Sequence, residues 1–125
     1  MASTPSPSGA SFTIYHNPKC STSRYVLDAL REAGVELEVV DYLKKPYTKA
    51  QLQRLLKAMG VKAPEVLRRK GDLYKELGLD DPSVSEAKLL DAMVQNPVLV
   101  ERPIVVSPKA TLMCRPKERV HELLG

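Results

Sequence analysis

"TIYHNPKCSTSRYVLDAL" (Thr13–Leu30) contains the turn on which the reading of this chain depends. Phe12 to Tyr15, "FTIY", has the aromatic and β-branched character of a strand. From Thr22 to Ala33 the apolar residues Val26, Leu27, Leu30 and Ala33 fall at helical spacing, and Gly34 supplies a stop. The next stretch, "VELEVVDY", alternates and then turns β-branched, so it reads as a second strand. A strand, helix, strand unit with a connection of this length favours parallel pairing through a right-handed crossover. Cys20 sits at the turn from strand to helix, beside His16, Lys19 and Arg24.

Downstream the pattern is helical. Thr48 and Gln51 make a capping-box pattern ahead of Leu52, Leu55, Leu56 and Met59, and Gly60 stops that helix. Pro64 suits the first turn of a short helix carrying Val66 and Leu67. "LYKELGL" reads as another short helix, ended by Gly78. A longer one carries Leu89, Leu90, Met93 and Val94 and ends near Asn96, just before Pro97. "RPIVVSPKATLMCRP" then holds two short apolar runs, Ile104 to Val106 and Thr111 to Met113, with Lys109 and Ala110 at the turn of a hairpin. Pro116 opens a last helix with Val120, Leu123 and Leu124 on one face. The order is β-α-β, a helical block, then β-β-α. That is the outline of an α/β protein with a thioredoxin-like, mixed four-stranded sheet and a helical insertion between its two end units. Residues 1–11, rich in Ser, Pro, Ala and Gly, read as a disordered tail ahead of one domain over 12–125.

The totals exclude several classes. No run of 18 or more apolar residues marks a transmembrane helix, and "MASTPSPSGA" lacks the basic start and apolar middle of a signal peptide. A cytoplasmic, reducing setting is therefore expected, with no membrane partner and no structural disulfide. Two cysteines are also too few for a cysteine-based metal site, so no metal is expected. The net charge of +4 suits a small anionic ligand, but the charges are scattered. Five Tyr, one Phe and no Trp make a poor stacking platform, which argues against nucleic acid. A monomer is expected.

Two readings of Cys20 stand side by side. At a helix N-terminus, the backbone N–H groups and the helix dipole favour a thiolate. Ser21, Thr22 or Ser23 can cap the helix, and His16, Lys19 and Arg24 add positive or polarisable neighbours. Against this, a free cysteine is most commonly a small buried residue. The missing neighbours narrow the reactive reading. Position 23 is Ser, so there is no C-x-x-C dithiol, and a redox cycle would need an outside thiol such as glutathione. Position 26 is Val, where a phosphatase-type loop would carry arginine.

Three arginines stand out by context: Arg68 on the short helix after Pro64, Arg102 before Pro103 and a strand, and Arg115 just past the hairpin. The planar guanidinium fork suits a tetrahedral oxyanion. An isolated arginine is usually a solvated surface charge, so these matter only if the fold brings them to Cys20. Thioredoxin-like folds set the turn before the third strand against the nucleophile, which makes Pro103 a candidate cis-proline.

"YHNPKCSTSR", "LRRKGDLYKELGL", "ERPIVV" and "CRP", in this order over residues 12–124, resemble the glutaredoxin-coupled arsenate reductase family. The resemblance implies a thioredoxin-like fold with Cys20 as nucleophile and His16 tuning its thiolate. It implies oxyanion-binding roles for Arg68, Arg102 and Arg115, with Arg69 adjacent to the first. It also implies the reduction of arsenate to arsenite through a cysteine–arsenate adduct. That adduct is resolved by glutathione as co-substrate and glutaredoxin as partner, with no bound cofactor. Two other outcomes share the fold and motif. One is a glutathione-dependent thiol enzyme with another substrate. The other is a regulatory binding module similar to the Spx proteins, against which Ser23 argues, because those carry C-x-x-C.

Overall fold

The computed structural model describes residues 11–124. Apart from Ser11, the expected N-terminal tail lies outside the described residues. Strand β1 (Phe12–His16) leads into helix α1 (Ser21–Glu32) and strand β2 (Leu37–Asp41). Four helices follow: α2 (Lys49–Met59), α3 (Ala63–Val66), α4 (Leu73–Glu76) and α5 (Glu86–Gln95). A 3-10 turn (Pro97–Leu99) leads to strands β3 (Ile104–Val106) and β4 (Thr111–Met113). The chain closes with a 3-10 turn (Lys117–Val120) that runs into α6 (His121–Leu124). The C-terminal helix expected from Pro116 thus begins as a tighter 3-10 turn.

The sheet has strand order β2-β1-β3-β4, with β1–β2 parallel and the other two pairs antiparallel. This is the thioredoxin-like mixed sheet. The central strand is buried along its whole length because helices cover both faces. Its pleat sorts the side chains. Phe12 and Ile14 join Val26, Leu27, Leu30, Val105, Val120 and Leu123 under α1 and α6. Tyr15 points the other way, with Ile104 and Val106, into the core built by α2, α3 and α5.

Local chemistry sets the ends of these elements. Thr48 and Gln51 exchange the two hydrogen bonds of a capping box at the start of α2. Gly60, in the left-handed conformation at φ 71°, ends the same helix. The β3–β4 turn is closed by Ser107, whose N–H and hydroxyl both donate to the Ala110 carbonyl, at 3.0 and 2.7 Å.

Leu67 and Val100 form an isolated antiparallel bridge between the end of α3 and the approach to β3. Arg68 N–H donates to Leu99 O at 2.7 Å and Glu101 N–H donates to Val66 O at 2.8 Å. The helical insertion is thereby tied to the segment that carries Arg102.

Candidate active site

Asn17 to Cys20 is a tight turn off the C-terminal end of β1. Cys20 N–H donates to Asn17 O, and Lys19 N–H donates to Asn17 Oδ1, both at 3.0 Å. Cys20 itself occupies the N-cap of α1, with extended backbone angles. None of Ser21, Thr22 and Ser23 caps the helix, contrary to the sequence expectation. The reason lies at Ser23, which is buried and turned back toward the strand. Its Oγ accepts the Asn17 N–H at 3.0 Å and lies 2.6 Å from His16 Nδ1.

The positive surroundings of Cys20 are not the ones nearest in sequence. Lys19 and Arg24 are exposed, and Arg24 Nη1 donates to Pro18 O at 2.8 Å. Burial pulls the pKa of His16 down; Asp41 raises it, and Arg31 and Arg24 lower it further. A lowered pKa keeps the imidazole neutral at pH 7, so it is not a cation beside the thiol.

The cations come from the far end of the chain. Arg115 Nη1 lies 3.8 Å from Cys20 Sγ, 95 positions away in sequence. The same nitrogen donates to Arg102 O at 3.1 Å. Arg102 is buried. Its Nη1 donates to Val98 O at 3.3 Å, and its Nε has no hydrogen-bond partner. The Arg102–Pro103 peptide is cis, as is Arg115–Pro116. Arg68 Nη1 pairs with Glu101 Oε1 at 2.9 Å, whereas Arg69, next along the extended chain, is exposed. Glu101 Oε2 lies 3.9 Å from Arg115 Nε. Arg115 and Arg102 thus act on Cys20, and Arg68 joins them through Glu101.

Burial raises the Cys20 thiol. Opposing it are the Ser23 backbone N–H, hydrogen bonds from Arg102 and Arg115, and the Arg102 charge, which together hold its pKa below the ordinary value. Cys114 is the reverse case. It packs among Phe12, Val26 and Val120, and burial pushes its pKa up to about 12. Both cysteines are free thiols. A sulfur whose thiolate form is favoured by guanidinium groups is suited to attack an electrophilic oxyanion and to have the added charge offset.

Two residues that the sequence reading did not single out also belong here. Tyr42 is fully buried, and its hydroxyl accepts from Asn17 Nδ2 at 3.4 Å. Burial raises its pKa while Arg102 lowers it; Asn17, Cys20 and Arg68 also act on it. Glu101 is the other. Its place in "ERPIVV", one residue before Arg102, was the only available signal.

A cleft of about 420 Å³ between α2 and α5, lined by residues such as Lys57, Lys62 and Glu86, includes none of these groups. Geometry and charge mark the site. Among the described residues no cluster of three His, Cys, Asp or Glu could hold a metal ion. No described helix is long and apolar enough to cross a membrane.

Residues 15–123 match the model of the ArsC family. The uncharacterized protein YfgD of Escherichia coli (strain K12) is 54% identical over 113 residues, covering 90% of this chain and 95% of that protein. An arsenate reductase of Rhizobium meliloti (strain 1021) is 49% identical over 112 residues, covering 90% of this chain and 80% of that one. The solved structure of an arsenate reductase from Vibrio cholerae is 41% identical, with a TM-score of 0.86 over 91% of this chain and 98% of that one.

Proposed function

The chain belongs to the ArsC family, and from that premise we propose that it reduces arsenate to arsenite, with Cys20 as the nucleophile and glutathione and glutaredoxin as reductants. The observation that carries this reading is the Cys20 thiol, held below its ordinary pKa, with Arg115 Nη1 at 3.8 Å and the unpartnered Arg102 Nε nearby.

The thiolate attacks arsenic. A sulfur–arsenic bond forms, one arsenic–oxygen bond breaks, and the departing oxygen leaves as water after taking up protons. Arg102 and Arg115 offset the charge on the adduct, and Arg68 completes the set. Glutathione then displaces a second oxygen as water, so that arsenic carries two sulfurs. A glutaredoxin thiolate attacks the glutathione sulfur and forms a mixed disulfide. The electron pair of the broken arsenic–sulfur bond stays on arsenic, which falls from the +5 to the +3 state. Water releases arsenite and restores the Cys20 thiol.

External thiols are needed because the chain has no usable second one. Cys114, the other cysteine, is buried with its pKa raised to about 12, so it is a poor nucleophile near neutral pH. His16 acts on the thiolate through Ser23, whose backbone N–H lowers the Cys20 pKa.

The test is arsenite production by the purified protein, with glutathione and glutaredoxin supplied together and each withheld in turn. Turnover only with both is the expected result. Turnover with thioredoxin alone would require an internal thiol relay and would overturn the mechanism. Reduction of glutathionylated substrates without arsenate turnover would assign the site another substrate.

A further inference from the structure

Glu101 stands between two of the three arginines. Its Oε1 is engaged by Arg68 Nη1 at 2.9 Å. Its Oε2 lies 3.9 Å from Arg115 Nε, too far for a hydrogen bond. The guanidinium that faces Glu101 with Nε faces Cys20 Sγ with Nη1, at 3.8 Å. The Glu101 side chain is 23% exposed, and no hydrogen bond to its Oε2 is seen among the described residues. Its backbone is anchored separately, by the hydrogen bond from Glu101 N–H to Val66 O.

An oxyanion received by Arg102 and Arg115 beside Cys20 therefore meets a carboxylate oxygen. Two anionic oxygens at contact distance repel each other unless a proton lies between them. Arsenate and phosphate keep at least one O–H at neutral pH. Sulfate keeps none.

We infer that Glu101 is a specificity-determining residue: its free carboxylate oxygen accepts a hydrogen bond from the O–H of a tetrahedral oxyanion, which admits arsenate and phosphate and disfavours sulfate. This rests on the reading that Cys20 and its arginines receive an oxyanion. The physical basis is general. A site built to bond a ligand hydroxyl rejects the analogue that lacks it, because a buried polar group is left opposed or unpaired. Glu101 also cancels one of the three positive charges, so the site separates anions by their protons and not by total charge alone.

The experiment follows protection of Cys20 against alkylation by iodoacetamide, at fixed pH, as phosphate or sulfate is added to the wild type and to Glu101→Gln. In the wild type, phosphate is expected to protect at a concentration roughly tenfold lower than sulfate. The variant presents a neutral amide with N–H donors in place of the carboxylate, so sulfate protection is expected to improve about tenfold while phosphate changes by less than about threefold. An unchanged ratio in the variant, or a parallel loss of both anions, would make Glu101 a brace for the arginines and overturn the inference. Should Glu101→Gln fail to fold, the wild type alone decides: sulfate protecting as well as phosphate overturns it. Protection by neither anion in either protein would overturn the oxyanion site itself. Protection with an unaltered ratio would overturn only the role of Glu101.

Discussion

The Ser23 hydroxyl lies 2.6 Å from His16 Nδ1 and accepts the Asn17 N–H, while the backbone N–H of the same serine acts on the Cys20 thiol. One residue thus couples the end of β1 to the first turn of α1 and touches both His16 and the Cys20 thiol. Ser23→Ala leaves the buried Asn17 N–H and His16 Nδ1 short of a partner. The expected cost is roughly 1–3 kcal/mol of stability, with the pH midpoint of Cys20 alkylation moved upward. Denaturant melts and alkylation profiles of the variant check both.

Cys20→Ser is expected to abolish arsenate reduction. Cys114→Ser is expected to keep most of it, because Cys114 is a buried core thiol. Arsenite yield under saturating glutathione and glutaredoxin measures both, and equal losses would contradict the assignment.

Lysine keeps the charge of arginine but loses the planar fork. Arg102→Lys and Arg115→Lys are each expected to lower kcat/KM by an order of magnitude or more, in line with ~2–4 kcal/mol for one oxyanion donor. Arg69→Lys is expected to be mild, since Arg69 is exposed while Arg68 pairs with Glu101. Steady-state kinetics on the variants would expose a register error if Arg69→Lys proved worse than Arg68→Lys.

The pH dependence follows from the sign of the Cys20 shift. Its folded pKa is below the ordinary value of 9.0, so between the two the unfolded chain binds more protons and stability rises with pH. That contribution is fully present above 9.0 and is lost as pH falls through the folded pKa. The melting temperature of the wild type relative to Cys20→Ser is therefore expected to rise with pH across this window. A flat difference would contradict the thiolate.

His16 has the same sign for a different cause. Burial lowers its pKa from 6.5, so the folded state resists protonation and stability is lost as pH falls from 6.5 toward the folded value. A proton titration of the His16 ring by NMR is expected to give a midpoint below 6.5. His121 lies on the surface with its Nε2 3.0 Å from Tyr25 Oη and serves as the second resonance in the same spectrum.

The elements were legible because their signals are local. Strand alternation, helical spacing, the Thr48–Gln51 capping box and the Gly60 stop each depend on residues within a few positions of one another. They place Cys20 at the strand-to-helix turn without further help. What surrounds the sulfur was not legible in the same way. The adjacent cations Lys19 and Arg24 point to solvent, while Arg115 arrives across 95 positions because β3 and β4 pair beside β1. The Leu67–Val100 bridge turns Arg68 toward Glu101 and leaves Arg69 in water, a choice no pattern in "VLRRKG" contains. Sequence by itself determined the elements, their order and the candidate nucleophile, since backbone preference and side-chain periodicity are short-range. Only the tertiary structure decided which charges meet the thiol, since electrostatic contact depends on distances in space that strand pairing and burial set.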